Sequence, residues 1–348
     1  MTPKSTYSLF IVVIVTAVLL IGEFILLPAL SGLNRETLLM GFAGKPGSEI
    51  DGQLINTMGF TGDVIEIEKQ PGTVRILILG GSVMFNRHLG ERLKPQLQAL
   101  LPGKKLELVN AGLRSHTTRS SLLKMRLLQK YQFDYVFIYH GINDLWANHI
   151  DKSGYRPDYS HLNSWYERSA VLDHSTIARS IFNTWRMIKP LPVPQYIFPD
   201  KANVNRCAFC SVKSLEENLE EISSIAEASG SRIVLITFAS NIPENYSRKK
   251  FLENTVGYIN PEDYDRRDIF NWGPPDYVRE GLKRHNTALK TLATKKHLAL
   301  WDADQILSPH IEWFGDACHF NNEGVDRFIE GLGNFIKTEA LFEPGRPE

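Results

Sequence analysis

Five short apolar runs, separated by stretches of helical spacing, constrain the fold of this chain more than any other feature. They are RILILGG (75–81), LELVNAG (106–112), YVFIYHG (135–141), RIVLITF (232–238) and LALWDAD (298–304). Runs this short and this uniformly apolar read as strands covered on both faces. Residues 91–101, 119–131, 214–229 and 275–296 carry apolar side chains at helical intervals, and a last amphipathic stretch runs from about 323 to 341. Strands alternating with helices imply parallel βαβ units. The expected fold is α/β: a flavodoxin-like, doubly wound, parallel five-stranded sheet with helices on both faces. Ligands of such sheets bind beyond the carboxyl ends of the strands, so the residues that follow each run are the candidates for chemistry.

Composition narrows the function. With 348 residues, 43% of them hydrophobic, there is enough chain to bury a core without a structural metal or staple. Lys+Arg and Asp+Glu both number 39. A chain with no basic excess lacks the usual footprint of a nucleic-acid binder. Three cysteines are too few for a disulfide scaffold. The mean hydropathy of −0.19 excludes a polytopic membrane protein but allows a single span.

One such span is visible. From Tyr7 to Leu30 the chain reads YSLFIVVIVTAVLLIGEFILLPAL, with Glu23 its one charge. A helix of that length rises about 36 Å, against a bilayer core of about 30 Å. Lys4 and the terminal amine precede it, which favours a cytoplasmic N-terminus, although Arg35 and Lys45 follow. The expectation is an uncleaved signal anchor over residues 1–31. The competing reading is a cleaved signal peptide, with Ala29 and Ser31 as small residues at the cleavage site. Either reading exports the main domain; in a Gram-negative bacterium it is then an inner-membrane protein facing the periplasm. A glycine-rich tether (32–58) leads into a domain expected over 59–341. Residues 145–213, rich in Trp, Tyr, His and Pro, are too long for a βα loop and read as an insertion or cap. A second irregular stretch covers 239–274.

At the strand ends stand Gly80-Gly81-Ser82, Asn110-Ala111-Gly112 and Gly141-Ile142-Asn143-Asp144. Near the C-terminus come Asp316-Ala317-Cys318-His319 and then Phe320-Asn321-Asn322-Glu323-Gly324. This set suits acyl transfer. Ser82 needs a base to become a nucleophile. His319 can take its proton, and Asp316 can orient the imidazole. The N–H groups of Ser82 and Gly112 and the side-chain amide of Asn143 are candidate oxyanion donors.

These blocks resemble the SGNH hydrolases, also called the GDSL family. RILILGGSVMFN is similar to the family's first block, NAGLRSHTT to the second, HGIND to the third and DACHFNNEG to the last. The resemblance covers roughly 59–340. It implies a serine esterase or acyltransferase working without metal or cofactor. One departure is Gly81, where the family name has Asp; the resemblance makes this a Gly-Gly-Ser variant. The expected substrates are O-acyl groups of envelope or exported polysaccharide, or lipid esters. An O-acyltransferase to a glycan and a non-catalytic envelope-binding protein are the alternatives.

Other residues carry weaker signals. His140 and Trp146 are candidate pocket residues, with His149 beside them, and Asp144 reads as a loop brace. Arg114, His116 and Arg119 suit either an anionic substrate or a solvated helix start. Cys207 and Cys210 form a Cys-Ala-Phe-Cys pair with no second pair to complete a zinc site, so a local disulfide is the expectation. Cys318 is the runner-up nucleophile, with packing the plainer role.

Overall fold

The structure, a computed structural model, describes residues 3–27, 43–163, 166, 167, 169–188, 207–259 and 266–343. Its centre is a six-stranded, mostly parallel sheet with strand order β3-β5-β4-β6-β7-β8. The strands are β3 (Thr61–Gly62), β4 (Thr73–Gly80), β5 (Lys105–Asn110), β6 (Tyr135–Tyr139), β7 (Arg232–Ile236) and β8 (Ala299–Trp301). A separate hairpin pairs β1 (Glu49–Ile50) with β2 (Gln53–Leu54).

The five parallel strands are the five expected apolar runs, each shorter at its carboxyl end because glycines and polar residues there turn out of the sheet. Taken in chain order they lie 2-1-3-4-5, the flavodoxin-like arrangement. The expectation of five strands is corrected by β3. This two-residue strand pairs antiparallel with β5, Thr61 opposite Asn110 and Gly62 opposite Val109. It is too short to show a period of two, and it covers an edge that would otherwise expose unpaired backbone.

Alternation along β4 sets the layers. Ile76 and Ile78 face one core with helices α3 (Leu89–Ala99) and α11 (Asn322–Thr338), through Leu93, Leu97, Val325 and Phe328. Leu77 and Leu79 face the other, with α4 (Thr118–Leu128), α7 (Ser211–Ala228) and the latter half of α9 (Pro275–Lys296). The chain turns sharply after β4 into the short helix α2 (Ser82–Phe85). Helix α4 starts at a capping box between Thr117 and Ser120.

The N-terminal apolar run forms helix α1 (Pro3–Ile21), which passes into a π-helical turn over Gly22–Leu26. An unbroken α-helix from Tyr7 to Leu30 is therefore corrected: the regular hydrogen-bond register ends one residue before Gly22. Among the described residues no helix is long and apolar enough to cross a membrane. The cleavage-site candidates Ala29 and Ser31, and residues 32–42 of the tether, lie outside the described residues. The insertion holds two short helices, α5 (Ala170–His174) and α6 (Thr176–Ile188), and a disulfide between Cys207 and Cys210. The remaining short helices are α8 (Arg248–Leu252) and α10 (Ala303–Leu307).

Candidate active site

Ser82 is the first residue of α2, so its N–H has no intrahelical acceptor and stays available. Its Oγ lies 2.7 Å from Nε2 of His319. On the far side of the ring, Nδ1 lies 2.8 Å from Oδ2 of Asp316. These three residues come from opposite ends of the domain, 237 positions separating Ser82 from His319. Their meeting is held by local devices. Asn321 caps α11, accepting from the Gly324 N–H at 2.9 Å, and so fixes the loop that carries His319. A Cβ at 324 would lie 2.1 Å from the Trp313 carbonyl, so glycine is required there. Arg87 Nε donates to the Phe320 carbonyl at 3.0 Å and ties the α2 turn to the same loop.

Asp316 is fully buried. Burial by itself raises a carboxyl pKa, but the electrostatic pull and hydrogen bond of the His319 imidazole, with the backbone N–H bonds, outweigh that and hold Asp316 below its ordinary value. Oδ1 also accepts from the N–H groups of Cys318 (3.0 Å) and His319 (2.9 Å), and Oδ2 from that of Arg267 (2.9 Å). The carboxylate thus stays charged and fixed beneath the imidazole, with Nδ1 donating. That tautomer makes Nε2 the acceptor of the Ser82 proton.

Asn143 sits beside Ser82. Its Nδ2 donates to the His116 carbonyl at 3.0 Å and keeps a second hydrogen. Its Oδ1 accepts from the indole N–H of Trp272 at 3.3 Å, which orients the amide with nitrogen toward the serine side. A Cβ on residue 81 would lie 2.8 Å from Nδ2 of Asn143. That contact gives Gly81 a steric reason where the family name carries Asp. The N–H of Gly112, the third expected donor, donates to Oδ1 of its neighbour Asn110 at 3.0 Å. Asn110 in turn donates to the Met84 carbonyl at 2.8 Å, so its side chain joins the turns after β4 and β5.

His140 is buried and lines a crevice of only about 10 Å³ with Gly81, Ser82, Asn143 and Phe238. Its Nε2 shares a hydrogen bond with Ser121 Oγ at 2.6 Å, and burial pushes its pKa down to about 3, so it is neutral. Trp146 is one layer further out. It stacks on Trp272 at 5.8 Å and donates to the Asn271 carbonyl rather than lining the crevice. His149 bonds the Trp272 carbonyl at 2.7 Å. Asp144 braces the loop, accepting from the N–H of Thr118 and from Tyr159 OH at 3.1 Å; burial raises it to about 6. Arg114 pairs with Asp51, His116 turns to the buried Lys124, and Arg119 reaches the Tyr166 carbonyl. All three therefore serve contacts within the protein.

Cys318 lies in the core on the Nδ1 side of His319, with Sγ 3.5 Å from that nitrogen. Burial and then the Asp316 charge push its thiol pKa well up, which suits packing and not attack. Asp316, Cys318 and His319 bring donor atoms within 4.8 Å, but the carboxylate and Nδ1 already bond each other.

A family model described as GDSL-like lipase/acylhydrolase matches residues 78–327. The chain belongs to the GDSL-like lipase/acylhydrolase family. As a family member it is an ester hydrolase with a mostly parallel α/β sheet. Among solved structures it is similar to a GDSL-like lipase from Bacteroides thetaiotaomicron, with 13% identity, 76% of this chain and 88% of that chain covered, and a TM-score of 0.40. An acetyl xylan esterase, AlAXEase, shows 12% identity over 75% of this chain and 98% of that one, with a TM-score of 0.43. Axe2, an acetylxylan esterase from Geobacillus stearothermophilus, shows 14% identity, coverage of 76% and 94%, and a TM-score of 0.42. No curated protein sequence matches the chain.

Trp272 and Asn110 are the site residues that sequence reasoning left without a role. An Asn two positions before a glycine at a strand end is a usable turn signal. Trp272, 129 positions from Asn143 inside an irregular stretch, offers no local signal.

Proposed function

We propose that this family member is a serine esterase, anchored by its N-terminal helix with the catalytic domain outside the cytoplasm. It removes small O-acyl groups through an acyl-enzyme. The observation that carries the reading is the continuous relay Ser82–His319–Asp316, with contacts of 2.7 and 2.8 Å at the carboxyl end of the sheet. Ser82 Oγ attacks the ester carbonyl as Nε2 of His319 takes its proton. The oxyanion forms beside the Ser82 N–H and the second Nδ2 hydrogen of Asn143. The Gly112 N–H joins them by sharing its hydrogen with Asn110. Collapse of the intermediate breaks the ester C–O bond, and Nε2 returns the proton to the leaving alkoxide. Water, deprotonated by the same nitrogen, then attacks the acyl-enzyme and releases acid and free Ser82.

The crevice beside Ser82 is narrow. That favours acetyl over longer acyl groups. Export through the apolar N-terminal run makes acetylated envelope or exported polysaccharide the natural substrate class. The test is fluorophosphonate labelling of the full-length protein, followed by mass mapping and hydrolysis of p-nitrophenyl acetate against the octanoate. Labelled Ser82 and a preference for acetate support the reading. A folded protein that takes no label, or labels elsewhere, rules it out.

A further inference from the structure

Helix α6 is amphipathic with its faces reversed. A helix on a water-soluble domain turns its apolar side to the core. Here Arg179 is 1% exposed and Arg186 is largely covered, whereas Ile181 is 65%, Trp185 46% and Ile188 75% exposed. The inward arginines converge on Glu167. Arg179 Nη1 donates to its carbonyl at 2.8 Å, and Arg186 Nη2 pairs with its carboxylate at 2.6 Å. Nothing in the water-facing logic of a soluble protein rewards that arrangement.

The start of α6 is tied to the N-terminal helix. Glu23 is buried, and its carboxylate fills the open end of α6. Oε1 accepts from the Thr176 N–H at 2.6 Å, and Oε2 from the Ile177 N–H and Ser175 Oγ, both at 3.0 Å. An anionic group at that helix terminus satisfies orphan donors and the positive end of the dipole. A Cβ on Gly22 would lie 3.1 Å from Ile177 Cδ1, so the two helices also touch. Apart from Gly22 and Glu23, the described side chains from Phe10 to Leu26 are exposed and, except for Thr16, apolar. The apolar face of α6 thus continues an apolar surface that begins on α1.

We propose that α6 lies in the lipid–water interface of the membrane, with Ile181, Trp185 and Ile188 in the acyl boundary and Glu23 as the clamp to the anchor. The proposal rests on the anchoring given under Proposed function and adds a second, planar contact. An interfacial helix buries its apolar face about 5–10 Å into the headgroup–acyl boundary, and Trp and Arg suit that depth. The contact also orients the site. Tyr166, next to Glu167, bonds Ser120 at 2.8 Å and Thr117 at 3.3 Å, at the start of α4 just after the Gly112–His116 loop. The rim of the active site is therefore braced on the membrane-lying helix, so esters at the membrane surface are the ones presented to Ser82.

The experiment uses the full chain in phosphatidylcholine nanodiscs, with spin labels at Ile181→Cys, Ile188→Cys, Ser180→Cys and Val15→Cys. Ser180 is exposed but lies off the apolar face of α6. Collision rates with oxygen and with a water-soluble nickel chelate are compared. The proposal expects labels at 181 and 188 to be shielded from nickel several-fold more than the label at 180, and Val15 to be shielded most. Nickel access at 181 and 188 equal to that at 180, with Val15 shielded, overturns the proposal and leaves the anchor standing. Nickel access at Val15 overturns the anchor and the proposal together. Shielding at 188 accompanied by dipolar broadening between labels identifies a second copy as the occupant and also overturns it.

Discussion

Around Ser82 the chain gives its buried polar groups partners and packs apolar residues behind them, whereas around α6 it turns arginines inward and leaves isoleucines outside. In the first region Asp316, His319 and Asn143 are nearly inaccessible, and each has a hydrogen-bond partner. In the second, Arg179 and Arg186 hold Glu167 while Ile181 and Ile188 are largely exposed. The physical rule is the same in both, since buried polar groups need partners wherever they are. On the membrane proposal, what differs is the medium the outer face meets: water at one, lipid at the other. Substitutions in the first region should change chemistry, and those in the second should change only where the protein sits.

The sharpest test of that contrast is Ser82→Ala. Loss of the nucleophile should lower kcat on p-nitrophenyl acetate by about 10³-fold or more, with an unchanged melting temperature. Turnover near wild type would remove Ser82 from the mechanism. Asn143→Ala should lower kcat by about 10²–10³-fold with little change in KM, because the donor matters most in the transition state. A lower melting temperature with intact kcat would make Asn143 a turn residue only.

Stability should respond to acid through the buried histidines of the catalytic domain. Burial pushes His140 down to about 3 and His285 down to about 4. Both folded values lie below the unfolded value of about 6.5. Their contribution is therefore fully present above pH 6.5 and is lost as pH falls toward 4, at up to about 1.4 kcal/mol per pH unit for each. Urea midpoints measured from pH 7 to 4.5 should fall, and His285→Gln should make the decline shallower. An identical slope in the variant would show that His285 takes up its proton without unfolding.

Trp272→Phe probes the link from the outer aromatic pair to the oxyanion donor. Removing one hydrogen bond to Asn143 should lower kcat by about 3- to 10-fold with KM nearly constant. The loss should vanish in an Asn143→Ala background, because the partner is gone. Additive losses would place Trp272 outside the oxyanion machinery. The smallest effect belongs to the other region. Ile188→Ser should leave kcat on a soluble ester unchanged and shift stability by no more than about 0.5 kcal/mol. A large loss of stability in water would mean that Ile188 packs against protein, and the contrast between the two regions would collapse.

What the sequence by itself determined is whatever a short stretch encodes alone. The five apolar runs specify five parallel strands because each must be covered on both faces. The blocks around Ser82, Gly112, Asn143 and Asp316–His319 mark strand ends by their glycines and turn residues, so the candidate triad was legible before any coordinates. Cys207 and Cys210, three residues apart, announced a local pairing. Tertiary structure decided what depends on distant partners. Strand β3 exists because the edge of β5 needed covering, not because two residues have a pattern. Trp272 reaches Asn143 across 129 positions, and Glu23 reaches Thr176 across 153. The N–H of Gly112 was assigned to the oxyanion by its motif, and only the fold shows that Asn110 also accepts from it within the same turn. Helix α6 has an amphipathic period that is plain in the sequence, but periodicity fixes only that two faces differ. Which face meets the protein was decided by Glu167 and Glu23, whose charges drew the arginines and the helix start inward and left the apolar side out.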